Sequence, residues 1–260
     1  MDLGLKNKVV IITGGTKGIG EAISRCVAEE EGIAVFIGRS EKPGKALEDD
    51  LKAKKLQGYF IQADLNKTDN CKKIIAEVIE KYGRIDGLVN NAGRNDGVGL
   101  ENGSPEAFAK SVQENLFHYY EMLYYALAAL KESEGSVVNI SSKVALSGQG
   151  GTSGYAASKG AQLALTREWA SELLPYNIRV NAILPAEVMT PLYESWLNTF
   201  DNPSAKQKEI EQKIPLGQRM TTAEEIASMA VFLLSNKSAH TTGQFISPDG
   251  GYLHLDRSLT

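Results

Sequence analysis

An α/β fold, a doubly wound parallel sheet with helices on both faces, is the architecture this sequence predicts, and three observations carry it. Short apolar, β-branched runs recur at residues 9–13, 33–37, 59–62, 87–90, 137–140 and 178–183. Segments of helical period separate them, as at 71–82, where Ile74, Ile75, Val78 and Ile79 fall at helical spacing. The runs are apolar on both faces rather than alternating, which is what strands covered above and below by crossover helices require.

No Pro/Ser/Gly-rich linker and no internal repeat interrupts the alternation, so residues 1–260 read as a single domain. An apolar fraction of 42% and a charged fraction of 23% suit a chain that buries a sizeable core. A net charge of -4 without a Lys/Arg block argues against a nucleic-acid binder. Cys26 and Cys71 lie in helical patterns without metal-ligand spacing, so no metal site is expected and both read as buried thiols. The first residues lack a basic segment followed by an apolar one, and no apolar run has transmembrane length. The expectation is a cytoplasmic protein with no membrane partner.

Taken in order, the first strand runs into Thr13-Gly14-Gly15-Thr16-Lys17-Gly18-Ile19-Gly20, which opens a helix. Gly14 permits a sharp turn, Gly18 lets the backbone approach a phosphate, and Gly20 allows close helix–strand packing. Free N–H groups at the helix start would then hold a pyrophosphate. Gly14, Thr16, Lys17, Gly18, Ile19 and Gly20 are accordingly candidates for binding a dinucleotide cofactor. The spacing is neither G-x-G-x-x-G nor a P-loop.

The end of the second strand selects between dinucleotides, because an acid there bonds the ribose 2′-OH of NAD. This chain has Ile37-Gly38-Arg39-Ser40, a glycine in the acid's place and a cation beside it. Lys17 adds a second positive charge. Both favour a 2′-phosphate, so NADP is the expected cofactor, with NAD the alternative.

Farther along, residues 136–140 read as a buried strand ending near Ser142, and a glycine-rich loop leads to a helix from about Ser153. On that helix Tyr155 and Lys159 stand at i and i+4, on one face. A free phenol is a poor acid or base at neutral pH; an ammonium one turn away is expected to lower its pKa into the working range. The Ser142 hydroxyl is placed to bond the same substrate oxygen. With a nucleotide loop upstream, the combination describes hydride transfer.

These residues together resemble the short-chain dehydrogenase/reductase family, whose motifs are matched by T-G-x-x-x-G-I-G at 13–20, Asn90-Asn91-Ala92-Gly93, Asn115, Ser142 and Tyr155-x-x-x-Lys159. The similarity runs to Asp249-Gly250-Gly251 and covers almost the whole chain. The resemblance implies a Rossmann-type sheet with Tyr155 as general acid/base and Ser142 as donor to the substrate oxygen. Lys159 then tunes Tyr155 and holds the nicotinamide ribose, and Asn115, within a long helical pattern, holds a water in a proton relay with Lys159. It further implies that Asp64 and Leu65 contact adenine and that Asn91, Ala92 and Gly93 floor the cofactor cleft. Beyond the sixth strand the family's Pro-Gly becomes Pro185-Ala186-Glu187; Pro185, Val188 and Thr190 keep the nicotinamide contact, and Glu187 turns toward substrate.

Substrate identity is read from the loops. Asn95, Gln149 and Glu187 make the pocket polar, which suits a polyhydroxylated small molecule. Residues 95–101, 185–193 and 251–257 resemble the L-fucose dehydrogenases of the family, which oxidise C1 of L-fucose and related aldoses to the lactone. A 3-oxoacyl-carrier-protein reductase is the alternative, and a nucleotide-binding regulator without catalysis the third. Residues 189–216, with Pro191, Pro203, Pro215 and several aromatics, are expected to form a substrate lid. Small residues along the helix from Ser153, and the aromatics Phe117, Tyr119, Tyr120, Tyr124 and Tyr125 on the helix over 105–130, predict a homotetramer or homodimer. His254 or Arg257 of the terminal segment is expected near a partner's pocket.

Overall fold

The computed structural model describes residues 2–255. In chain order the elements are β1 (Val9–Thr13), α1 (Gly18–Glu29), β2 (Ile33–Gly38), α2 (Glu41–Ala53), β3 (Gln57–Gln62), α3 (Asn70–Tyr82), β4 (Gly87–Asn90) and α4 (Pro105–Val112). They continue with α5 (His118–Ser133), β5 (Ser136–Ile140), α6 (Ser153–Glu172), β6 (Arg179–Ile183), α7 (Pro191–Leu197), α8 (Pro203–Glu211), α9 (Ala223–Leu234) and β7 (Phe245–Ile246). Every strand pairs in parallel, in the order β3-β2-β1-β4-β5-β6-β7. All six strands expected from the sequence are present. The seventh, β7, is two residues long and is held by its pairing with Ala182 and Ile183 of β6, too short a signal to see in sequence.

Alternate residues of each strand serve opposite layers. Val10, Ile12, Val89 and Val138 pack with Ile23 and Val27 of α1 and Ile226 and Val231 of α9. Val9, Ile11, Leu88 and Val137 pack with Ile74 and Val78 of α3, Tyr119 and Met122 of α5, and Trp169 of α6. The strand order reverses between β1 and β4, so a crevice opens beyond their carboxyl ends, the place where such sheets bind ligands.

One segment departs from the sequence expectation, and another gains structure of its own. The helix expected over 105–130 is not continuous: Gln113–Phe117 is π-helical, between α4 and α5, and α5 extends to Ser133. Residues 189–216 hold two short helices, each with proline in its first turn and capped by Thr190 and Asn202 respectively. Leu197, Ile210, Ile214 and Met220 form a small core of their own there, with Met189, Tyr193 and Tyr252 against it. Of the terminal segment, His254 is exposed, and Arg257 lies outside the described residues. Among the described residues no helix is long and apolar enough to cross a membrane, and no His/Cys/Asp/Glu group is arranged to hold a metal.

Candidate active site

The glycine-rich turn sits at the mouth of the crevice. Gly14 has φ +63, and a Cβ built on Gly20 would lie 2.1 Å from the Gly14 carbonyl oxygen, so both positions require glycine. The turn is tied to β4: Asn91 Nδ2 donates to the Thr13 and Gly14 carbonyls at 2.9 and 3.2 Å, and the Asn91 and Ala92 N–H groups donate to Thr13 Oγ1. Asn91 and Ala92 therefore build the cleft floor by holding the turn. Lys17 caps α1 by backbone position alone, with no side-chain hydrogen bond to the first amides. Those N–H groups and the helix dipole face the crevice and fit a pyrophosphate. Thr190 closes the opposite side, its Cβ and Cγ2 3.3 Å from where a Gly18 Cβ would stand.

At the adenosine end, a Cβ on Gly38 would lie 2.6 Å from Thr16 Oγ1, which leaves no room there for an acid side chain without movement. Lys17, Arg39 and Ser40 are exposed around this point. Asp64 follows β3 and spends one carboxylate oxygen on the Asn66 N–H at 3.1 Å, while Leu65 is buried beside it.

Across the crevice, Ser142 ends the loop after β5 and caps a single helical turn, accepting from the Val144 N–H at 3.4 Å. Tyr155 stands in the first turn of α6, and the Ser142 side chain acts on its hydroxyl. Lys159, 3% exposed, donates from Nζ to the Ile140 carbonyl at 2.7 Å, to Gln162 Oε1 at 3.2 Å and to the Tyr119 hydroxyl at 3.4 Å. The structure thus brings Ser142, Tyr155 and Lys159 together from β5 and α6.

Their electrostatics differ from the sequence expectation. Burial pushes the Tyr155 phenol up to about 12, opposed by the Ser142 hydrogen bond, and burial pushes the Lys159 ammonium down to about 7. The expected lowering of Tyr155 by Lys159 is absent because Nζ is aimed at neutral oxygens of β5, α5 and α6, and desolvation outweighs the neighbouring charge.

Asn115 lies in the π-helical stretch, and its side chain accepts from the Arg94 N–H at 2.8 Å and donates to the Ser111 carbonyl at 3.0 Å. Its own carbonyl accepts from Gln162 Nε2 at 2.9 Å. The Gln162 amide links Asn115 to Lys159.

The family model described as Enoyl-(Acyl carrier protein) reductase matches residues 14–253. The chain belongs to the short-chain dehydrogenase/reductase family.

Relatives within this family span its whole length. L-fucose dehydrogenase of Rattus norvegicus is 36% identical over 97% of this chain and 92% of that protein. The 3-oxoacyl-[acyl-carrier-protein] reductase of Thermotoga maritima is 37% identical over 95% of this chain and 98% of that one. Among solved structures, the Cj0485 dehydrogenase superposes with a TM-score of 0.94 at 50% identity, covering 100% of this chain and 99% of the other. The ligand-free aldohexose dehydrogenase of Thermoplasma acidophilum gives 0.89 at 30% identity, covering 98% and 97%. The chain is therefore an oxidoreductase that uses a nicotinamide cofactor.

The substrate candidates of this dehydrogenase/reductase do not converge as one set. Asn95 is exposed, and its side-chain oxygen accepts from the Gly97 N–H at 3.1 Å, a loop-turning role. Gln149 is exposed in the loop before α6. Glu187 is buried and engaged: Lys143 Nζ donates to Oε1, and the Tyr193 hydroxyl donates to Oε2 at 2.5 Å. Burial first, and then that carboxylate, hold the Tyr193 phenol well above its usual range. Lys143 also stands 4.4 Å from the centre of the Tyr252 ring. Sequence reasoning did not single out Lys143, and it named Tyr193 and Tyr252 only as members of the loops at 185–193 and 251–257. The one available signal was Lys143 following directly on Ser142.

Proposed function

We propose that this short-chain dehydrogenase/reductase oxidises L-fucose or a related aldose at C1 to the lactone, with NADP as its cofactor. The observation that carries the reading is the charged and polar wall of Lys143, Glu187 and Tyr193, contiguous in chain with Ser142 on one side and Pro185 on the other. A ligand rich in hydroxyl groups is matched by the donors and acceptors of such a wall. The rat relative's name and the aldohexose dehydrogenase structure support the same class of substrate.

In this reading the α1 amides with Gly14, Thr16, Gly18, Ile19 and Gly20 hold the pyrophosphate, and Lys17, Arg39 and Ser40 meet the 2′-phosphate. Asp64 and Leu65 flank the adenine. Asn91, Ala92, Gly93, Pro185, Val188 and Thr190 line the nicotinamide end. A bound nicotinamide supplies the hydride acceptor. Ser142 donates a hydrogen bond to the substrate oxygen, Tyr155 as the phenolate takes the hydroxyl proton and becomes the phenol, and Lys159 stabilises the phenolate before that transfer. Residues 189–216 cover the substrate, since Tyr193 of α7 reaches Glu187 at the wall. The exposed, stacked Tyr120 and Tyr124 on α5, with exposed Ala164 on α6, support a homotetramer or homodimer through these helices.

The Thermotoga maritima relative supports a second reading, reduction of a 3-oxoacyl thioester. Purified protein assayed with a panel of aldoses and with acetoacetyl thioesters, each with NADP(H) and NAD(H), separates the two by nicotinamide absorbance. Oxidation of L-fucose with NADP is the expected result. Turnover of the thioester alone would replace the first reading with the second.

A further inference from the structure

Gln162 is a polar side chain with none of its surface exposed, three residues after Lys159 on α6. An apolar residue of the same volume would fill the site without the cost of burying an amide, so its polar ends call for an account. Both are used. Oε1 accepts from Lys159 Nζ at 3.2 Å, and Nε2 donates to the Asn115 carbonyl at 2.9 Å. That carbonyl belongs to the π-helical turn, and such turns are frequent where a helix is adapted to function.

The backbone that carries the bridge is itself anchored. The Gln162 carbonyl accepts from Thr166 Oγ1 at 2.7 Å, and Thr166 Oγ1 accepts from Asn139 Nδ2 of β5 at 2.9 Å. The α6 backbone at Gln162 is thus tied to β5, and from that point the side-chain amide spans Lys159 and the bulge. A rigid acceptor is what a long lysine side chain lacks on its own.

We propose that Gln162 is a positioning residue: its amide clamps Lys159 to the bulge at Asn115 and so sets where, and how firmly, the ammonium is held beside Tyr155. The inference rests on the reading of Tyr155 and Lys159 as the proton-transfer pair.

The groups facing Nζ make Gln162's acceptor count. On α6 the Tyr155 ring centre is 5.4 Å away. From α5, the Tyr119 hydroxyl is within 3.4 Å, and buried His118, pushed down to about 4 by desolvation, is neutral at pH 7. On the bulge, Glu114 is paired with Arg94 and Lys110, and Asp96 accepts from Ser111. β5 offers the neutral Ile140 carbonyl. Among the described residues no carboxylate pairs with Lys159, so neutral oxygens alone hold its charge, and removing one is felt directly.

The test follows the lysine rather than turnover, so it does not depend on the substrate. Protein labelled with 13C at lysine Cε is titrated by NMR, the Lys159 signal being assigned by its loss in Lys159→Arg. Gln162→Met keeps the volume and removes both hydrogen bonds; Gln162→Asn keeps the amide but is one methylene too short to span Lys159 and Asn115. In each, Lys159 is expected to bind its proton roughly tenfold more weakly than in the wild type, the scale of one hydrogen bond to a charged group. The acidic limb of kcat/KM for alcohol oxidation moves to higher pH with it. An unchanged Lys159 titration in either folded variant overturns the inference. A shifted titration with an unmoved pH limb would instead count against the pairing of Lys159 with Tyr155.

Discussion

Lys143 and Glu187, 44 residues apart, form an ion pair with side chains 13% and 10% exposed, joining the turn after Ser142 to the turn after Pro185. The pair binds the end of β5 to the segment leading into α7, and Tyr193 adds a second hydrogen bond to the same carboxylate.

Removing one partner leaves the other charged in a place that water reaches poorly. Glu187→Leu is expected to cost about 3 kcal/mol, and a Lys143→Met/Glu187→Leu double variant to recover most of it, because the stranded charge is gone. Activity should not recover with it. Thermal melts and kcat/KM on the four proteins of the cycle check this, and a double variant with wild-type kcat/KM would remove the pair from the substrate wall.

Tyr155→Phe removes the proton-transfer group and leaves the fold intact. Turnover should drop by about 10²–10⁴-fold with cofactor affinity, read by nicotinamide fluorescence, nearly unchanged. With burial pushing Tyr155 up to about 12, its base form is scarce near neutrality, so wild-type oxidation should climb with rising pH. Residual activity of the variant should lose that climb. Retention of more than a tenth of wild-type kcat would show that Tyr155 is not the base.

Burying Lys159 strains the fold. Its native pKa, about 7, lies below that of an exposed lysine, so between these values the unfolded chain binds more protons. The sign follows: stability rises as pH increases through that window. Lys159→Met removes the penalty but strands the Gln162 acceptor, for a net gain of about 1–3 kcal/mol at pH 7. Differential scanning at pH 7 and pH 10 should find the variant more stable than wild type at pH 7, with the gap closing by pH 10. A variant that melts lower at pH 7 would show that the hydrogen bonds outweigh desolvation.

The proposed preference for NADP rests on the exposed end of β2. Arg39→Asp with Lys17→Ser removes two cations and adds an anion that accepts from a ribose hydroxyl and repels a phosphate. The ratio of kcat/KM for NADP over NAD should fall by at least tenfold. Wild type that already favours NAD would refute the assignment.

Ala164 is exposed on α6, the helix that carries Tyr155 and Lys159. Ala164→Arg should dissociate a homotetramer and lower activity through the same helix. Light scattering on the wild type decides the premise: an active monomer ends it.

The sequence by itself determined what is local. A glycine turn between an apolar run and a helix is specified by residues within one stretch, and Gly14 and Gly20 take the conformations and contacts that only glycine allows. The i, i+4 placement of Tyr155 and Lys159 follows from helical period, and the parallel sheet from runs apolar on both faces. Tertiary structure decided what depends on partners far along the chain. The π-helical turn at Asn115 has no periodic signature, since one extra residue per turn is set by what packs against it, including Gln162 from 47 positions away. The pKa of Tyr155 was misread from spacing alone because spacing shows the nearby charge but not the desolvation, and burial is a property of the whole packed molecule. Nothing near Glu187 in sequence announces Lys143 as its counter-ion; only folding β5 beside β6 brings the two together.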